Sequence, residues 1–368
     1  MKKFGFRNFD NQFEEAIAAV VRAIQPVDPG YIAQAREYND SLCKPLGSLG
    51  QLEVIRERLW AITQGKLTPF KKAVVVYAGD NGVFAEGVSY NPQDITYKVC
   101  ENIKSGRSGL GRIAQFYNTT VFLEDLAVLK DVLGHTDYKV RRGTGNIKLG
   151  PAMTRSEAAQ FILAGVRRTE GLIDQGYNLI GAGEMGVGNT TTSAAVISVL
   201  TDQDPEITTG LGSGLTPQGY AQKIAVIREA IQINAPYTDG LDLVAKLGGA
   251  DICAMAGTYL ACASRRIPFV LDGVISLAAL AVSYEFCPQV LDFAFPSHRT
   301  EEHGARIVEV KFGLKPLLDL QMRLGEGSGC PMAMNLMECA VFSLGSMASF
   351  NDVSVNKNDY IDIREELK

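Results

Sequence analysis

Histidine and tryptophan are nearly missing: three histidines (His135, His298 and His303) and one tryptophan occur in 368 residues. Beyond His298 and His303 at i, i+5, no His or Cys pair has helical ligand spacing. The seven cysteines (Cys43, Cys100, Cys253, Cys262, Cys287, Cys330 and Cys339) are an odd number and contain no C-x-x-C pair. Neither a zinc knuckle nor a disulfide framework is therefore indicated, no metal site is expected, and the thiols are expected reduced and mostly buried. No apolar run approaches the ~20 residues that span a bilayer. The best candidate, Ile267 to Val282, is broken by Asp272, Gly273 and Ser276. The opening Met1-Lys2-Lys3 alternates charge with Phe and builds no signal-peptide core, so a cytoplasmic protein without a membrane segment is expected. Positive charge is also short. With a net charge of −5 and no basic cluster beyond Arg141-Arg142 and Arg265-Arg266, a nucleic-acid face is disfavoured.

What remains is 46% apolar and 21% charged, the profile of an ordinary globular chain, and long enough for two domains or one large domain with a smaller companion. Residues 10–65 read as helical, with apolar spacing from Phe13 to Ile24 and again from Leu52 to Ile62. Between them Lys44-Pro-Leu-Gly-Ser-Leu-Gly50 must break the helix. Ala73 to Gly79 is a continuous apolar run, as in a strand buried on both faces of a parallel sheet. Strand-like runs recur at Thr120–Leu123, Leu179–Ala182 and Pro268–Leu271, separated by helical patterns at Arg155–Arg167, Gln222–Ile231 and Ile252–Ser264. The alternation predicts an α/β fold with a doubly wound, mostly parallel sheet, whose ligands bind beyond the carboxyl ends of the strands. Glycine-rich segments fall where those ends should be, at Gly79–Gly82, Gly181–Thr192 and Asp272-Gly273. A fourth, Leu324–Gly329, precedes a Met- and Ala-rich helix in which Met332, Met334 and Met337 read as core. The polar last residues read as a frayed terminus.

Gly181-Ala-Gly183-Glu-Met-Gly186 follows a strand and formally matches a dinucleotide fingerprint, which opens the reading of an NAD-dependent oxidoreductase. Glu184, however, stands inside the supposed pyrophosphate loop, where it would repel the ligand. The segment runs on through Val187–Thr192 before a helical stretch, Ser193 to Leu200, and backbone N–H groups and hydroxyls at a helix start suit a single phosphate. Gly188 to Thr191 holding a phosphomonoester, with Glu184 facing a cation, is a consistent picture; a turn that merely caps a helix is the plainer one. A pyridinium riboside 5′-phosphate has both features, and carboxylates near its C1′ would stabilise the oxocarbenium-like charge that develops as the pyridine leaves, without a metal. Glu326, between Gly325 and Gly327, is the best general-base candidate, since an apolar ring pocket would raise its basicity; a solvated turn glutamate is the alternative.

Taken together, these segments resemble the nicotinate-nucleotide:dimethylbenzimidazole phosphoribosyltransferase family. The matching stretches are Lys44–Gly50, Val74–Thr96, Gly143–Ile147, Gly183–Thr191, Leu247–Asp251, Leu271–Gly273, Pro296–His298 and Arg323–Gly329, in family order over roughly residues 40 to 345. The resemblance implies transfer of ribose 5-phosphate from nicotinate mononucleotide to an aromatic lower-ligand base of a cobamide, giving an α-riboside 5′-phosphate and nicotinate, with no cofactor. It implies a Rossmann-like large domain (66–329), and a small helical domain from both chain ends (1–65 plus about 330–368). A homodimer, or a heterodimer with a paralogue, would close the site. By the same resemblance Glu326 is the general base and Glu184 the second glutamate beside the ribosyl centre. Gly188, Asn189, Thr190, Thr191, Lys223 and Ser297 would surround the ribotide phosphate, and Ser89, Tyr90, Asn91, Val99, Met185 and Leu324 the base. Departures fall on the acceptor side: Asp80-Asn81-Gly82 stands where relatives usually carry Asp-His-Gly, and Met185 where leucine is common. A phenolic acceptor therefore stays open. A catalytically silent subunit is a further alternative, against which both glutamates argue.

Overall fold

The computed structural model describes residues 3–6, 11–132, 137–212, 214–360 and 362; His135 and most of the polar C-terminal tail lie outside these. The run of apolar residues after Lys72 folds as strand β1 (Lys72–Gly79), buried along its whole length. β2 (Thr120–Ala127), β3 (Leu179–Met185), β4 (Phe269–Leu271) and β5 (Ala294–Pro296) join it in a five-stranded sheet of order β2-β1-β3-β4-β5. Every pairing is parallel, as expected of strands without a polar face. β5 has three residues, ends in proline and carries no pattern that announces it. A two-stranded parallel pair, β6 (His298–Thr300) and β7 (Leu318–Met322), extends from its end.

The pleat sends alternate residues of β1 to opposite faces. Tyr77 meets the helix Ala250–Ser264, donating or accepting a 2.7 Å hydrogen bond with the hydroxyl of Thr258, so the buried phenol is satisfied. That helix packs on Arg155–Asp174, which starts with a full capping box between Thr154 and Glu157. Contact between the two is close enough that only glycine fits: a Cβ on Gly165 would come 1.9 Å from the carbonyl oxygen of Ala254, and one on Gly257 1.9 Å from that of Ile162. Against β1, β3 and β4 packs the helix Cys330–Ser346; of the three methionines expected in the core, Met334 and Met337 are fully buried and Met332 is half-buried. It also packs on Gln51–Ile62, which pairs with Pro29–Ser41. Backbone bonds from Cys43 to Ala348 (2.9 Å) and from Phe350 to Ser41 (3.0 Å) join the two ends of the chain.

β1 lies between β2 and β3, so the connection leaving β1 for β2 and the one leaving β3 for β4 run in opposite directions, and the carboxyl ends of β1 and β3 part at a topological switch point. Among the described residues no helix is long and apolar enough to cross a membrane. Among the described residues no disulfide joins the seven cysteines; Cys100, Cys253, Cys262, Cys287 and Cys330 are buried, Cys43 is half-buried and Cys339 exposed.

Candidate active site

A cleft of about 350 Å³ opens at that switch point. Its walls are the end of β3 with the following turn (Gly183–Thr190), the segment after β4 (Asp272–Ser276), the loop Arg323–Glu326, and residues between Val88 and Val99 after β1.

Glu326 enters this cleft on a backbone that ordinary residues avoid. Its φ is +64°, between +83° at Gly325 and +87° at Gly327, so two glycines flank one strained glutamate. The loop is held from below: Asp272, just past β4, accepts the N–H groups of Gly327 (3.1 Å) and Gly329 (2.8 Å). It is also held from the side, because a Cβ on Gly183 would sit 2.2 Å from the carbonyl oxygen of Glu326. The carboxyl group of Glu326 accepts the N–H of Leu110 at 3.3 Å, at the start of the helix Gly109–Phe116. Burial raises its proton affinity, against the hydrogen bonds from Leu110 and Ser108 that favour the anion.

Glu184 projects near the end of β3. One carboxyl oxygen accepts the N–H of Glu326 (3.4 Å) and the other the side-chain amide of Asn189, which also donates to Asp251 at 3.0 Å. Burial first, and then the charges of Asp251 and Asp272, push the Glu184 carboxyl up to about 8. Asp251 is pushed up to about 6 by burial.

Next to Glu184, the start of the following helix is suited to an anion. Gly188, with φ +94°, caps the helix Asn189–Thr201, and Gly188, Asn189 and Thr190 all line the cleft. This helix starts four residues before the expected Ser193. The β-branched run Thr190–Thr192 is a poor helix former, but the helix is buried nearly all round and tertiary packing overrides propensity. Behind it Lys223 is wholly buried, its ammonium donating to the hydroxyl of Thr190 (2.9 Å) and the carbonyl of Gly210 (3.1 Å). Burial lowers its pKa to about 8, opposed by Glu302. Glu302 lines the cleft and accepts the N–H of Gly212 at 2.9 Å.

The residues implied at the phosphate thus divide. Gly188, Asn189 and Thr190 reach the cleft and Lys223 stands directly behind Thr190, whereas Thr191 and Ser297 are buried outside its lining; the Ser297 hydroxyl pairs with His298 at 3.0 Å. Of the residues implied at the base, Ser89, Asn91, Val99, Met185 and Leu324 line the cleft, and Tyr90, 80% exposed, does not. Sequence assigned no role to Asp251, Asp272 or Glu302, although it marked Asp272-Gly273 as a strand end where ligands bind. The first two lie in the quoted stretches Leu247–Asp251 and Leu271–Gly273, and for Asp272 an acid directly after a strand was the signal. The dinucleotide fingerprint dissolves: Gly181 and Gly183 lie inside β3, where their missing side chains admit Cys330 and the Glu326 loop, so these glycines serve packing instead of a pyrophosphate turn.

A phosphoribosyltransferase family model matches residues 24–355. The nicotinate-nucleotide–dimethylbenzimidazole phosphoribosyltransferase of Clostridium tetani is 40% identical over 352 residues, 94% of this chain and 97% of that protein. The enzyme of the same name from Acetivibrio thermocellus is 42% identical over 323 residues, 86% and 92% of the two chains. The crystal structure of CobT from Thermus thermophilus superposes with a TM-score of 0.85 at 37% identity, covering 89% of this chain and 99% of that one. With matches that run the length of both partners and a cleft built from the stretches that carried the resemblance, this chain belongs to the nicotinate-nucleotide–dimethylbenzimidazole phosphoribosyltransferase family.

Proposed function

We propose that this protein transfers ribose 5-phosphate from nicotinate mononucleotide to an aromatic base of the dimethylbenzimidazole class, giving the α-riboside 5′-phosphate and nicotinate for cobamide synthesis. One observation carries the reading: two glutamates, Glu184 and Glu326, line the same cleft as a helix N-terminus backed by a buried ammonium. The donor has matching poles, a pyridinium at C1′ and a phosphate at C5′. In the reaction the bond from C1′ to the pyridinium nitrogen breaks and its electrons neutralise that nitrogen. A bond forms from the acceptor nitrogen to C1′, and the acceptor's N–H proton passes to the carboxylate of Glu326. Glu184 offsets the positive charge on the ribosyl centre between these events. The names of the relatives supply the substrate pair, and the cleft supplies carboxylates for the cation and a helix N-terminus for the phosphate.

The acceptor end is walled by Val99, Met185 and Leu324, flat and adaptable surfaces for an aromatic ring. Leu324 is 55% exposed at its mouth, a position that a second subunit would cover. The deciding experiment offers nicotinate mononucleotide with dimethylbenzimidazole, benzimidazole, adenine, phenol and p-cresol, and identifies the products by mass. Riboside phosphate formation with the benzimidazoles is expected, and products from the phenols would widen the acceptor class. Absence of nicotinate release with every acceptor would overturn the proposal.

A further inference from the structure

Asp251 does no chemistry in the reaction outlined above, yet it is 1% exposed and is separated from Glu184 by a single amide group. It opens the helix Ala250–Ser264, and one of its oxygens accepts the N–H of Ile252 at 2.9 Å. The other accepts from Asn189, the same amide nitrogen that holds Glu184. That nitrogen carries two hydrogens, one for each carboxyl. Two buried acids are therefore joined through one neutral group, one facing the cleft and one behind it.

Among the described residues, the groups that act on the Glu184 charge are acids and hydrogen-bond donors. Glu184 is faced by Asp251 from the helix Ala250–Ser264, by Asp272 from the end of β4, by the N–H of Glu326 from the catalytic loop, and by Asn189. Arg323 also lines the cleft. Around Asp251, burial favours the neutral acid, while Asn189 and the backbone favour the anion; the Cys253 thiol two residues on is pushed up by burial and by the Asp251 charge. Two adjacent anions in such a site cost more than one anion and one acid.

We propose that Asp251 is a positioning residue for Glu184: tied to it through the amide of Asn189, it completes a dyad that holds a proton at rest, so that Glu184 presents a full negative charge to the cleft only when a cation arrives there. Resting on the reading of the donor as a pyridinium nucleotide, this makes the counter-charge a response to the donor. The proton displaced from Glu184 leaves to solvent, and the excess charge stays where the pyridinium and then the ribosyl cation lie.

The first test needs no donor. Carbon-13 carboxyl resonances of the free enzyme are followed against pH, with the Glu184 signal assigned by its loss in Glu184→Gln. Asp251→Asn keeps shape and removes the repelling charge, so the Glu184 midpoint should fall by about one pH unit or more. Asn189→Ala removes the bridging donor and should move the midpoint the other way. A folded Asp251→Asn with an unchanged midpoint, or shifts of the same sign in both variants, would overturn the dyad, and Asn189→Ala decides the matter if Asp251→Asn does not fold. A second arm measures proton release on binding nicotinate mononucleotide by calorimetry in two buffers of different ionisation enthalpy. Release near pH 7 by the unaltered enzyme, reduced severalfold in Asp251→Asn, is expected; equal release would count against the dyad. Failure of the unaltered enzyme to bind the mononucleotide would sink the functional reading and leave the first test standing.

Discussion

A glutamate that takes a proton from an aromatic N–H needs a basicity above that of a solvated carboxylate, and burial raises that of Glu326 while the N–H of Leu110 keeps the group aimed. Glu326→Gln should preserve donor binding and lower kcat by about 10²–10⁴. Because a phenol ionises on its own near pH ~10, raising the pH should partly rescue the variant with phenols and not with benzimidazoles. Near-normal kcat on every acceptor would move the base elsewhere, with Glu184 next in line. Lys223 is a different case. It is fully buried behind Thr190 and Gly210, so its charge reaches the cleft through the groups it holds. Lys223→Met should raise the KM for the mononucleotide about ten- to a hundredfold and hardly affect the dephosphorylated riboside. Equal losses with both donors would take Lys223 out of the phosphate corner. At this scale the sequence was legible where one residue advertises its own strain, as Glu326 does between two glycines. It was no guide where a role depends on distance: the resemblance puts Tyr90 with Ser89 and Asn91 at the base, and those two line the cleft while Tyr90 is 80% exposed.

Between elements, the contact that sets the scaffold is the crossing of Arg155–Asp174 with Ala250–Ser264. Each helix contributes a glycine where the other's backbone carbonyl arrives, and a methyl group at either position would overlap it. Gly257→Ala should therefore destabilise the protein by about 1–3 kcal/mol, read as a lower urea midpoint, with the reaction itself affected only through stability. An unchanged midpoint would mean that the helices part without cost. Asp251 lies on the first turn of that second helix, so the same packing that demands Gly257 also fixes the partner of Glu184. Local pattern announced both helices, Arg155–Asp174 by its apolar spacing and Ala250–Ser264 as a long apolar stretch without proline. It misplaced the start of Asn189–Thr201, because threonine propensity is a local quantity and the burial that outweighs it comes from the rest of the molecule.

For the whole molecule, the cluster of buried acids makes stability depend on pH. The folded-state value of Glu184, about 8, lies above the ordinary 4.5, so the stability it contributes is complete below about 4.5 and is lost as pH rises through about 8. Asp251, at about 6, adds to the lower part of that window. Lys223 acts with the opposite sign at higher pH: held at about 8 against an ordinary 10.5, its burial penalty is full below 8 and is relieved toward 10.5. The Tm should therefore fall between about pH 5 and 8, and Glu184→Gln should flatten the fall. A slope unchanged by that substitution would assign the pH dependence to other groups. The amino-acid order by itself determined the parallel α/β sheet, because strands apolar on both faces such as Ala73–Ala78 are stable only when covered on both sides. It likewise marked the glycine-flanked Glu326 and the loop after β3, since the conformations they need are written in neighbouring residues. Tertiary structure alone decided that the fingerprint glycines of β3 serve packing, that β5 exists at all, and that Asp251, Asp272 and Glu302 gather around the same cleft as the two glutamates. The reason is that a residue's periodicity reports whether it is buried, whereas which buried acids become neighbours depends on how crossovers tens of residues long return their strands to one sheet.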